Sequence, residues 1–126
     1  MKTIRFTIDG HLPSRANERG HWAVRARLTR SQRRSGYVCT KDVIGTRDVE
    51  FPVTVTMTRI SPRLLDNDDN LNAAFKNIRD GIADALGCDD SPRSPIAWKY
   101  DQRKGKPPCA EITIQEANYE RIEGSR

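Results

Sequence analysis

Long hydrophobic runs, aromatic residues and cysteines are all scarce in this chain of 126 residues. No apolar run approaches the roughly 18–20 residues that a membrane helix needs, and no apolar block typical of a signal peptide stands at the start. We therefore expect a cytoplasmic protein with no membrane partner. Aromatic residues make up 6% of the chain, which argues against broad base stacking on single-stranded nucleic acid.

Three cysteines, Cys39, Cys88 and Cys109, are too few and too scattered for a disulfide framework or a zinc knuckle. We expect each to be a small core residue in a reducing compartment. No Ser or Cys stands in a nucleophile motif, and the histidines, His11 and His21, both lie in the basic first third. Nucleophilic catalysis therefore has little support.

Charge is distributed unevenly along the chain, whose formal net charge is +5. Residues 1–60 hold 12 bases and 5 acids, residues 61–90 hold 3 bases and 7 acids, and residues 91–126 hold 7 bases and 5 acids. Basic flanks fit a polyanionic partner such as nucleic acid. The acidic centre would repel phosphate unless it holds a divalent cation. Composition alone favours a simpler interpretation, a solvated helix terminus.

Hydrophobic periodicity predicts six elements. Alternating apolar and polar side chains indicate four strands, at residues 2–8, 51–60, 96–102 and 109–115. Helical spacing indicates two main helices, one basic at residues 17–34 with an extension toward Tyr37, and one at residues 69–86. Pro52 favours an edge position for the second strand.

This order predicts one small mixed α/β (α+β) domain of two layers. It contains a four-stranded mixed sheet and two main helices in the order β-α-β-α-β-β, and it spans residues 1–116. The polar stretch 103–108 predicts a hairpin between the last two strands. Residues 117–126 predict a flexible tail.

The acidic centre reads Asp-Asn-Asp-Asp-Asn-Leu at residues 66–71, and Asp89-Asp90 follows the second helix. Capping accounts for one or two of these acids, since acids near a helix start meet free amides. An EF-hand calcium loop is rejected because its sixth position, a glycine in such loops, is Leu71, and its twelfth, a glutamate, is Asn77. A magnesium site for phosphodiester hydrolysis remains, if the fold brings the two acidic groups together.

The helix at residues 69–86 has a polar face opposite its apolar stripe. On a helical wheel Asp69, Lys76, Asp80 and Asp84 fall within about 80° of one another. This face is either an ordinary solvated surface with a Lys76–Asp80 pair, or a surface that directs Lys76 toward a phosphate. The wheel does not distinguish the two.

A block of residues carries a family resemblance. It comprises Asp-Asp-Asn-Leu at 68–71, Lys76, Ile-Arg-Asp-Gly-Ile-Ala-Asp-Ala-Leu-Gly at 78–87, and Asp89-Asp90. Weaker matches are Asn-Glu-Arg at 17–19, His21-Trp22 and Trp-Lys-Tyr-Asp-Gln at 98–102. In these residues the sequence resembles the RusA family of Holliday junction resolvases, in its phage and prophage form. The resemblance covers nearly the whole chain.

The resemblance implies a homodimer that binds four-way DNA junctions in recombination and repair and, with Mg²⁺, makes paired symmetric nicks. It assigns catalysis to Asp69, Asp90 and Lys76, with Asp66 or Asp68 as the third metal-binding acid. Asn67 stands where the family has an aspartate. A two-fold dimer also matches the approximate two-fold symmetry of a four-way junction. We expect phosphate contacts from the basic residues Arg25, Arg27, Arg33, Arg34, Lys104 and Lys106, and no small-molecule substrate.

Two alternatives stay open. One is a non-catalytic nucleic-acid-binding phage regulator, in which the acids serve only as caps. The other is a degenerate resolvase that binds junctions but cuts poorly because of Asn67, in which case Asn67→Asp would raise the rate.

Overall fold

A computed structural model describes residues 3–10, 12, 22–66, 68–88 and 93–116, with the backbone alone for residues 68 and 69. It confirms the predicted fold, a small mixed α/β domain with a four-stranded sheet and two helices in the predicted order. The elements are β1 (Thr3–Asp9), α1 (Trp22–Ile44), β2 (Val53–Ser61), α2 (Asp68–Leu86), β3 (Ile96–Lys104) and β4 (Cys109–Glu116). The predicted tail at 117–126 lies outside the described residues.

The strands form a mixed sheet in the order β1-β4-β2-β3. β4 is antiparallel to both β1 and β2, and β2 is parallel to β3, so β1, β2 and β3 all point the same way. Their last residues, Asp9, Ser61 and Lys104, therefore lie at one edge, which we call the carboxyl edge. The β3–β4 connection and the start of α2 lie at this edge as well.

One face of the sheet carries the core. Register pairs such as Val55 with Ile114 and Met57 with Ile112 place fully buried side chains next to each other on that face. The predicted stripe of α2 is buried against it, and Phe75 and Ile82 are fully buried. The opposite face presents half-exposed threonines on β2 and β4, so the domain has two layers, as predicted.

The two helices approach each other closely at two glycines. A Cβ on Gly36 would collide with the backbone of Ile78, and a Cβ on Gly81 would collide with the backbone of Arg33 and lie 2.8 Å from the Tyr37 nitrogen. This contact explains why α1 continues to Ile44, well beyond the predicted end at residue 34. Thr40 and Ile44 are buried there, so tertiary packing outweighs the weak helix propensity of the segment.

Other predicted boundaries shift by one or two residues, except the start of the first helix, whose predicted residues 17–21 lie outside the described residues. Two placements were wrong. The predicted hairpin is absent from the described strands, because β2 lies between β3 and β4 and pairs with both. Pro52 favoured a place near an edge for the start of the second strand, but β2 is an interior strand between β4 and β3. Pro52 immediately precedes Val53, the first residue of β2, so the proline removes no hydrogen bond from the sheet. No helix within the described ranges is long and apolar enough to cross a membrane.

Candidate metal and nucleic-acid site

The β2–α2 connection brings acidic residues to the carboxyl edge. β2 ends at Ser61 and α2 begins at Asp68, so the connection that carries Asp66 lies where parallel strands of α/β proteins commonly present ligand-binding loops. Asp66 is exposed. The backbone of Asp68 and Asp69 forms the first turn of α2, while their side chains and Asn67 lie outside the described part of the chain.

Two side chains hold this connection from the sheet. Arg59 on β2 is buried, and its guanidinium donates to the Leu12 carbonyl at 2.8 Å and to the Arg63 carbonyl at 2.8 Å. Gln102, the register partner of Arg59 on β3, accepts from the Leu65 amide at 2.8 Å and donates to the Leu65 carbonyl at 3.1 Å. We call Arg59 and Gln102 the loop clamp.

Burial affects the charge on Arg59. Desolvation lowers the pKa of its guanidinium. The described contacts of this buried cation are backbone carbonyls, whose partial negative charge stabilises it. Arg59 thus ties Leu12, three residues after the end of β1, to the β2–α2 connection at the carboxyl edge.

Lys76 forms an ion pair on the exposed face of α2. Its Nζ lies 3.3 Å and 3.4 Å from the two carboxylate oxygens of Asp80, one turn further along the helix. The side chain of Lys76 is 53% exposed and that of Asp80 21%. The structure therefore contains the pair that the wheel allowed.

The second acidic group belongs to the opposite end of α2. Asp89 and Asp90 lie outside the described residues, but Gly87 and Cys88, directly before them, follow the last turn of the helix. The 19 residues of α2 rise about 27 Å along the helix axis. Among the described residues, no three His, Cys, Asp or Glu side chains are grouped as metal ligands.

Basic residues of α1 divide into two groups. Arg33 donates from Nε at 3.0 Å and from Nη2 at 2.8 Å to Asp84 on α2, so this arginine joins the two helices. Arg27, Arg30, Arg34 and Lys41 are exposed and fall within about 60° of one another on the wheel. We call these four the basic stripe, whose ends are separated by a rise of about 21 Å. Arg25 is exposed but lies outside this stripe.

The β3–β4 connection, which crosses the end of β2, adds cations at the carboxyl edge. Lys104, the last residue of β3, and Lys106 are both exposed. The connection is tied to its neighbours by Gly105, whose amide donates to the Ser61 carbonyl at 3.1 Å, and by Pro108, whose carbonyl accepts from the Gly10 amide at 3.2 Å. These lysines therefore lie at the same end of the sheet as the acidic connection.

The three cysteines are free and half-buried. Cys39 and Cys88 pack against the hydrophobic core. Burial raises the pKa of the Cys39 thiol and of the Cys109 thiol. Both thiols are thus protonated at neutral pH, which disfavours them as nucleophiles and as metal ligands.

Four residues of interest were missed by the sequence analysis. Arg30 and Lys41 carried a usable signal, because both share the helical spacing of Arg27 and Arg34. Lys41 was missed because α1 was ended too early. Arg59 and Gln102 carried no signal, since their partners are backbone groups that only the tertiary fold brings near.

No protein-family model matches this chain. A protein of Xylella fastidiosa (strain Temecula1 / ATCC 700964), described as uncharacterized, is 38% identical over 79 residues, which are 59% of this chain and 51% of that protein. The chain thus spans about half the length of the curated relative that it matches. This similarity indicates a related protein in Xylella fastidiosa and gives no activity.

Proposed function

We propose that the protein is a Mg²⁺-dependent, structure-selective endodeoxyribonuclease that cuts four-way DNA junctions. The observation that carries the proposal is the placement of the acidic β2–α2 connection and the basic β3–β4 connection at the same edge of the sheet. Carboxylates alone would repel a phosphate, and lysines alone would only bind it. The resemblance to the RusA family, which rests on residues 68–90, supports the same proposal.

The chemistry of the candidate donors fits magnesium. Asp66, Asp68, Asp69 and Asp90 offer carboxylate oxygens, the ligands that Mg²⁺ prefers, whereas the three cysteine thiols are half-buried. A bound Mg²⁺ would neutralise charge at the scissile phosphate. The chain's own contribution is to hold the carboxylates on a connection fixed by the loop clamp and to start α2 beside them.

The basic stripe, together with Lys104 and Lys106 at the carboxyl edge, would bind the phosphate backbone. Within the described part of the chain, no carboxylate pairs with Arg27, Arg30 or Arg34, so these guanidinium groups remain available for phosphate. The rise of about 21 Å along the stripe spans several successive phosphates of one strand. Arg33 is excluded from this set because it is engaged by Asp84.

Helix length indicates that two copies build each metal site. Asp69 belongs to the first turn of α2, and residue 90 follows Cys88 by two residues, a reach of at most about 7 Å. That reach is far shorter than the roughly 27 Å length of α2. We therefore infer that a two-fold dimer joins Asp69 of one protomer to Asp90 of its partner.

A first experiment compares a labelled synthetic four-way junction with a linear duplex of matched sequence, each with and without Mg²⁺. The proposal predicts paired nicks on the junction alone and in Mg²⁺ alone. Asp69→Asn should abolish nicking while junction binding persists or tightens, because the change removes a charge that repels phosphate. Nicking by Asp69→Asn at the wild-type rate would contradict the assigned site.

A second candidate function is non-catalytic binding of nucleic acid, as in a regulator. The observation that favours it is the Lys76–Asp80 pair, which occupies the proposed catalytic lysine. Such a protein would bind junction and duplex DNA through the basic stripe without cutting either. Its binding would be unaffected by Asp69→Asn and by removal of Mg²⁺.

A further inference from the structure

The geometry points to Gln102 as a positioning residue for the acidic connection, and this inference rests on the proposed function. Its side-chain amide makes two hydrogen bonds to one residue, accepting from the Leu65 N–H at 2.8 Å and donating to the Leu65 carbonyl at 3.1 Å. We propose that these bonds set the direction in which the next residue, Asp66, presents its carboxylate.

Two hydrogen bonds to Leu65 fix the orientation of its backbone as well as its position. The amide nitrogen of Leu65 belongs to the peptide plane before it, and its carbonyl belongs to the plane that continues into Asp66. Because both planes are held by a planar group, rotation about the Leu65 backbone is restricted, as it is in a β-bridge. Gln102 thus makes the two hydrogen bonds to Leu65 that a neighbouring strand would make to a residue of a sheet.

The surroundings of Gln102 make it a precise anchor. It is half-buried on β3, and its register partner Arg59 holds the Arg63 carbonyl two residues upstream of Leu65. Arg63 and Leu65 are separated by one residue, which is the spacing of strand residues that face the same side. Leu65 is itself partly buried against the core, so the connection is held by side-chain packing as well.

Gln102→Met tests this role, because methionine has a similar length and offers neither amide group. Gln32→Met is the matched control: it removes another half-buried glutamine, whose Oε1 accepts from Asn77 Nδ2 at 2.9 Å between α1 and α2. Both variants lose glutamine hydrogen bonding and should lose comparable thermal stability. Only Gln102→Met releases the acidic connection.

Two measurements on the full chain separate positioning from stability. The first is amide hydrogen exchange over residues 62–71, which needs no activity. Gln102→Met should accelerate exchange of the Leu65 amide by about 10-fold, the factor expected for a typical hydrogen bond, while Gln32→Met should leave it unchanged. The second is the Mg²⁺ concentration for half-maximal junction nicking, which Gln102→Met should raise by about 10-fold or more.

The outcomes distinguish this inference from the proposed function. Unchanged Leu65 exchange in Gln102→Met, or an Mg²⁺ requirement equal to that of Gln32→Met, would overturn the positioning role while wild-type nicking stands. Wild-type protein that nicks no junction would overturn the proposed function, and the positioning role with it, whatever the exchange result.

If Gln102→Met does not fold, Gln102→Glu decides. It keeps the acceptor for the Leu65 amide and loses the donor, so Leu65 protection should persist while the Mg²⁺ requirement rises. An unchanged Mg²⁺ requirement in Gln102→Glu would again overturn the role.

Discussion

At the scale of single residues, ion pairs decide which cations remain available for DNA. Lys76 and Arg33 were both assigned to the site by sequence, and both are paired with aspartates on α2, at 3.3 Å and 2.8 Å. Surface pairs of this kind typically contribute less than about 1 kcal/mol, so they are weak enough to open when a phosphate arrives. Their presence nevertheless makes the two assignments testable by exchanging one partner at a time.

Lys76 is tested by comparing the two members of its pair. Asp80→Asn releases the lysine and should leave the nicking rate equal to or above that of wild type, while Lys76→Met should slow nicking with little loss of junction affinity. Both should change the free energy of unfolding by less than about 0.5 kcal/mol, the usual scale of an i,i+4 pair. Equal slowing by the two variants would mean that the pair itself, rather than the lysine, matters for nicking.

Sequence reasoning identified the acidic residues and Lys76 because residue type and helical spacing are local properties. It assigned Arg33 to DNA together with Arg34, because the two are neighbours in a basic run and their partners are not visible in one dimension. It missed Gln102 for the same reason. Its partner Leu65 is 37 residues away in the sequence and bonds through the backbone.

At the scale of elements, α1 joins two tasks on different faces. One face of α1 packs against α2 through Gly36 and pairs Arg33 with Asp84. The basic stripe, on another face, is exposed to solvent. This division predicts that Arg33 and Arg34, which are neighbours in the sequence, differ in their contribution to DNA binding. The buried residues of α1 are Gly36, Thr40 and Ile44, and its arginines lie on the remaining, exposed surface of the helix.

Arg34→Met and Arg33→Met form a matched pair for junction binding. Arg34→Met should weaken binding and reduce the slope of log affinity against log salt by about 0.9, the value for one lost phosphate contact. Arg33→Met should leave the slope unchanged. A loss of slope in Arg33→Met equal to that in Arg34→Met would show that Arg33 leaves Asp84 to contact DNA.

The close helix crossing predicts an unusual result for Gly81→Ala. Alanine favours helices over glycine by about 1 kcal/mol, so an exposed site would gain stability. Here the added Cβ would collide with the backbone of Arg33 and Tyr37, and we expect a net loss of about 1–3 kcal/mol in urea denaturation. Asn72→Ala, at an exposed position of α2, should stay within about 0.5 kcal/mol of wild type. Unchanged or increased stability of Gly81→Ala would contradict the close crossing.

The elements themselves were largely predictable from the sequence. The alternation of the strands and the apolar stripe of α2 are local sequence patterns, because each reflects which side of the element is buried. The element order and fold class predicted from them were confirmed. The end of α1 was not predictable, because Gly36 and Thr40 are poor helix formers that only the contact with α2 makes favourable. The interior position of β2 also depends on long-range pairing, which Pro52 does not reveal.

At the scale of the whole molecule, the length of α2 separates the two acidic groups of one chain. A magnesium site requires that the fold bring these groups together, and the start and end of α2 lie about 27 Å apart. A homodimer with two shared sites satisfies both the helix length and the need for two nicks on a four-way junction. The central claim is therefore that each metal site takes Asp69 from one protomer and Asp90 from its partner.

The measurement that tests this claim most directly mixes two inactive variants. Asp69→Asn and Asp90→Asn are purified separately, unfolded together, refolded as a mixture and incubated with the labelled junction and Mg²⁺. Shared sites predict that mixed dimers regain one intact site, so single nicks return, with paired nicks largely absent, while neither variant refolded alone cuts. Continued inactivity of a mixture in which mixed dimers are demonstrated would contradict the shared site.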